Sequence, residues 1–63
     1  MSTVTFEKSK AVKETDLALL VDLGTDEHWF PKSVIDDDSE VWQEGDEGDL
    51  VVKEWFALKE GLV

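Results

Sequence analysis

Polar and apolar residues alternate from Thr3 to Glu7, with Val4 and Phe6 on one side and Thr3, Thr5 and Glu7 on the other. That period of two predicts a short half-buried strand. Lys8 to Asp16 is polar apart from Ala11 and Val12 and reads as a connection that holds a turn or continues the strand. From Leu17 to Leu23 one face carries Leu17, Leu19, Val21 and Leu23 and the other Ala18, Leu20 and Asp22. A strand apolar on both faces belongs in the middle of a sheet.

Gly24-Thr25-Asp26 supplies a turn, because glycine and aspartate tolerate backbone conformations that other residues avoid. The aromatic segment Glu27 to Phe30 then predicts a strand forming a hairpin with Leu17 to Leu23. Pro31 has no N–H to give to a ladder, so it ends that strand or lies on an edge. Beyond Val34-Ile35, the run Asp36-Asp37-Asp38-Ser39-Glu40 has to be solvated. Val41-Trp42 returns to the core, Gly45 to Gly48 carries turn residues, and Val41-Trp42 with Leu50 to Val52 predicts a second hairpin.

Near the end, Trp55, Leu58 and Leu62 recur at i, i+3 and i+7, and Gly61 stands where a left-handed cap stops a helix. A helix of about two turns is unstable alone, so its apolar side has to pack on the sheet. The expected fold is α+β: a small antiparallel β-meander or an SH3-like partial barrel of three to five strands, closed by a short C-terminal helix. Residues 1–63 read as one domain, with 1–13 as an edge-strand or mobile arm.

Charge changes what such a domain is expected to do. Thirteen of the sixteen acidic residues fall between Glu14 and Asp49, where Lys32 is the only cation, and the whole chain carries −10 with no arginine. Such a field repels nucleic acid and anionic membranes and favours encounter with basic surfaces. Apolar residues make up 41 % of the chain and include three Trp and three Phe, which argues against a disordered acidic tail. A core this small leaves stability marginal and makes dimerisation an expectation. The lack of cysteine excludes disulfides and zinc-thiolate sites and points to the cytoplasm. The N-terminus shows no basic region followed by an apolar run, and no stretch approaches a membrane span.

Catalysis finds little support. His28 is the sole histidine, and no serine sits in a recognisable nucleophile setting, so no catalytic residue and no cofactor is expected. A calcium loop counted from Asp36 needs glycine at the sixth position, where Val41 stands. No specific metal site is therefore expected.

The E-H-W-F-P-K-S stretch from Glu27 to Ser33 resembles small uncharacterised proteins encoded by phages and prophages, which are similar in a strand, a turn, a W-x-P-K-S segment and a terminal E-W helix. The resemblance spans about residues 14–62 and implies an accessory role in a mobile element, in the host cytoplasm. It brings no activity with it.

What remains is a binding protein that presents carboxylates to a basic protein surface. The candidate partner-binding residues are Asp36, Asp37, Asp38, Glu40, Trp42, Glu44, Asp46 and Glu47, with Trp29 as a further aromatic anchor. In an extended chain Asp36, Asp38 and Glu40 stand about 6.6–6.8 Å apart on one face. Such a row, with the neighbouring acids, suggests a nucleic-acid mimic that inhibits a nucleic-acid enzyme. A second alternative, a small barrel stacking single-stranded nucleic acid on Trp29, Trp42 or Trp55, meets the objection that the lysines stand isolated among acids. Against all three stands the plain expectation that a charge run is a solvated face.

Overall fold

The computed structural model describes residues 2–63. Four strands, β1 (Thr3–Glu14), β2 (Ala18–Asp22), β3 (Glu27–Pro31) and β4 (Glu47–Lys53), are followed by one helix, α1 (Glu54–Lys59). They form an open antiparallel sheet in the order β3-β2-β1-β4. β1 to β3 are a meander, as expected, and β4 returns by a long connection to lie beside β1. That is the Greek-key order. The fold is a small α+β fold.

The N-terminal segment is not an arm. β1 is an inner strand, paired with β4 along its first half and with β2 along its second. It serves two neighbours by bending twice: the register shifts between Phe6 and Ser9, where Lys8 takes a φ of 58°, and again between Ala11 and Lys13. Bulges of this kind bend a strand and raise its twist. Polar Lys8 to Glu14 reads as a connection because its inward positions hold only Ser9 and Ala11, both buried. The Ser9 hydroxyl donates to the Phe6 carbonyl at 2.8 Å, which makes a polar residue tolerable there.

Leu19 and Val21 are fully buried, but the strand is shorter than its apolar run. Leu17 lies inside the turn closed by the Thr15 N–H on the Ala18 carbonyl, and its side chain is exposed. Phe30 fills the centre of the core, tilted against Phe6 and Phe56 with ring centroids 6.1 and 5.7 Å away. Val34, Ile35 and Val41, from the connection between β3 and β4, close one side.

The helix forms with a different inner face from the expected one. Phe56 and Ala57 are buried, whereas Trp55 and Leu58 are 53 % and 59 % exposed. α1 starts directly after β4, so its rotation is set by the strand that feeds it and not by the spacing of its largest residues. Leu62 does reach the core, after Gly61 reverses the chain at φ 71°. The Gly61 N–H donates to Leu58 O and the Leu62 N–H to Ala57 O, the two bonds of a Schellman cap.

The expected hairpin of Val41-Trp42 with Leu50 to Val52 is absent. β4 pairs with β1, and Val41-Trp42 belongs to an irregular segment lying outside the strands. Leu50 and Val52 need an apolar partner row on a neighbouring strand, and Val4 and Phe6 of β1 supply it.

Candidate interaction surface

The acidic run is built into the edge of the sheet. Alternate residues of an edge strand turn N–H and C=O groups outward, and on β4 these are Asp49 and Val51. The Asp36 N–H donates to Val51 O at 2.8 Å and the Glu40 N–H to Asp49 O at 2.8 Å. In return the Asp49 N–H donates to Glu40 Oε1 at 2.9 Å and the Val51 N–H to Ser39 Oγ at 3.2 Å. A carboxylate and a hydroxyl thus stand in for the carbonyls of a fifth strand, and the edge is closed.

This employment overturns the expected carboxylate row. Residues 36–39 form a tight turn, with the Ser39 N–H on Asp36 O at 3.0 Å and the Asp38 N–H on Asp36 Oδ2 at 3.1 Å. Asp36 and Glu40 point at backbone amides, so Asp36, Asp38 and Glu40 do not share one extended face. Glu40 also lies against Gly48: at φ 140°, a Cβ placed on Gly48 would meet Glu40 Oε1 at 2.7 Å. The positive φ favours glycine there, and an added Cβ would have to displace the Glu40 carboxylate.

Asp46 is committed as well. Its Oδ2 accepts the N–H groups of Trp42 and Gln43 at 3.0 and 3.1 Å, and its carbonyl accepts the Ala11 N–H, which ties the loop to β1. Glu14 holds the other end, accepting from the Glu44 N–H at 3.2 Å and from the Lys32 ammonium. The Lys32 bond, then the Glu44 amide, then the Lys32 charge keep the Glu14 carboxyl below its ordinary range, against the opposing effect of burial. Sequence reasoning missed Glu14, Lys32 and Ser39 because each acts across the chain or within a polar run. The only local signal was a serine in a turn-prone segment.

Asp37, Asp38 and Glu44 remain on the surface with no ion pair among the described residues. Trp42, between Asp38 and Glu44 in the sequence, is 39 % exposed, with its indole N–H donating to Ser39 O at 2.8 Å. That bond fixes the ring beside the turn bearing Asp37 and Asp38. Glu47 faces outward near Lys10, 3.6 Å away. The segment therefore leaves Asp37, Asp38, Trp42 and Glu44 exposed and spends the Asp36, Glu40 and Asp46 carboxylates on backbone N–H groups.

Trp29 is not part of this cluster. It lies on β3, the edge opposite β4, on the outer face of the sheet, where it is 45 % exposed and paired with Leu20. The W-x-P-K-S segment is a structural junction: Pro31 ends β3, Lys32 opens a 3-10 turn and its ammonium pairs with Glu14. His28 is half-buried against Phe30 and Phe56, with Nε2 3.3 Å from Glu60 Oε1.

Among the described residues, no group of three His, Asp or Glu side chains converges as a metal site, and no helix is long and apolar enough to cross a membrane. A shallow cleft of about 290 Å³ opens beside the first bulge of β1, lined by Lys8, Ser9, Lys10, Glu47 and Gly48. No protein-family model, curated protein or solved structure matches this chain.

Proposed function

We propose that this protein is a non-catalytic binding module that docks its anionic surface on a basic protein surface, in the accessory role implied by the W-x-P-K-S resemblance. One observation carries the reading: the loop that closes the β4 edge leaves the Asp37, Asp38 and Glu44 carboxylates without an ion pair among the described residues, in the same segment as an indole held by its own hydrogen bond. A lysine or arginine stem stacks on such a ring and its charge meets the carboxylates. Nucleic-acid mimicry, the finer form of the same idea, has fewer carboxylates to draw on than the sequence offers, because Asp36, Glu40 and Asp46 bind backbone N–H groups.

The test compares the immobilised wild type with the triple variant Asp37→Asn, Asp38→Asn, Glu44→Gln for capture of host proteins at low and raised salt. The expected result is a basic partner held by the wild type, released by salt and lost from the variant. A partner that stays on the triple variant and ignores salt overturns the reading.

A further inference from the structure

The sheet has two edges, and the chain closes one of them. On β3 the hairpin is bounded by the Leu23 N–H on Asp26 O and, at the far end, the Lys32 N–H on Leu17 O, both 2.8 Å. Antiparallel ladders alternate bonded and non-bonded pairs, so Val21 with His28 and Leu19 with Phe30 exchange the bonds. Glu27, Trp29 and Pro31 therefore turn their backbone groups away from β2. The Glu27 N–H is taken by Asp26 Oδ1 at 3.1 Å, and Pro31 has no N–H and leads into the 3-10 turn. Trp29 N–H, Trp29 C=O and Glu27 C=O are left as a short template open to a further strand.

We propose that β3 is a strand-addition site for an extended, lysine- or arginine-bearing segment of a partner protein. The Trp29 main chain makes the central bonds, and its exposed indole covers a basic side-chain stem. Charge complementarity selects this occupant. Asp22, Asp26 and Glu27 stand around the edge, Glu60 lies beside His28, and Lys32, at the end of the strand, is held by Glu14. A second copy of the chain fits poorly: two-fold pairing about Trp29 sets Glu27 opposite the proline and brings two negative edges together. The proposal rests on the anionic-binding reading only for the sign of the partner's charge.

The experiment is an NMR titration of the intact chain with a capped hexapeptide, Thr-Lys-Val-Lys-Val-Lys. It is repeated with two N-methylated forms, one for each alternate set of amides, and with the peptide carrying Glu in place of Lys. The expected result is shift changes over Glu27 to Phe30, slowed exchange of the Trp29 amide, about tenfold weaker binding for one methylated form only, and no binding of the Glu peptide. Equal binding of both methylated forms, or of the Glu peptide, overturns strand addition. Shifts confined to Asp37 through Glu44 remove the β3 site and leave the anionic reading standing. If neither the Lys peptide nor polylysine binds, both fall. Concentration-dependent β3 shifts without peptide identify a second copy as the occupant and also overturn the proposal.

Discussion

Ser39 holds more of this fold than its size suggests, and Ser39→Ala measures how much. Its buried hydroxyl oxygen accepts the N–H groups of Val41 and Val51, both at 3.2 Å, and its proton faces the carbonyls of Val41 and Asp49. Alanine keeps the volume nearly unchanged but leaves two buried donors without an acceptor, at about 1–3 kcal/mol each when no replacement is found. Taking the lower part of that range for both gives a loss of roughly 2–4 kcal/mol. A domain of this length has about 3–9 kcal/mol in total, so the variant should melt roughly 8 °C or more below the wild type. Urea denaturation gives the free energy, and exchange of the Val51 amide shows whether the β4 edge has opened. A loss under about 0.5 kcal/mol, the usual range for a neutral surface change, with Val51 exchange unchanged, would refute the account of the acidic run as an edge closure. Asp37→Asn, whose exposed side chain makes no ion pair among the described residues, is the control and should be neutral.

Three further outcomes follow from the same geometry. Gly61→Ala forces a Cβ into the left-handed region at the helix stop and should cost about 1–2 kcal/mol; an unchanged thermal midpoint would mean the Schellman cap does not anchor Leu62. Glu14 has a folded-state pKa below its unfolded one, so its stabilising effect is complete above the ordinary carboxylate range and fades as pH falls through the depressed value. Acid titration of Glu14→Gln should therefore show a shallower loss of stability below about pH 4.5 than the wild type, and parallel curves would remove Glu14 from the account. With −10 on 63 residues, the melting temperature should rise from low to moderate salt as self-repulsion is screened; a flat response would show that the carboxylates are already neutralised.

Much of the fold is legible along the chain where burial is one-sided and local. The Val4 and Phe6 alternation, the Leu19 and Val21 face, the turn at Gly24 and the stop at Gly61 each follow from residues a few positions apart. The candidate surface is legible only as a surplus of charge. Nothing local distinguishes Asp36, Glu40 and Asp46, which bind backbone amides, from Asp37, Asp38 and Glu44, which do not. The difference lies in whether a carboxylate falls within reach of an unpaired N–H on β4 or in its own turn.

By itself the sequence determined the class of the fold, the strand-ending role of Pro31 and the negative field. Those depend on side-chain size, backbone freedom and charge, all properties of the residues themselves. Tertiary structure decided that β1 lies inside the sheet, that Phe56 and not Trp55 faces the core, and that the acidic run closes the β4 edge while β3 stays open. Each of these depends on which strands become neighbours. Hydrogen-bond donors left over at an edge are created by that pairing, and only then does a nearby serine or glutamate acquire its purpose.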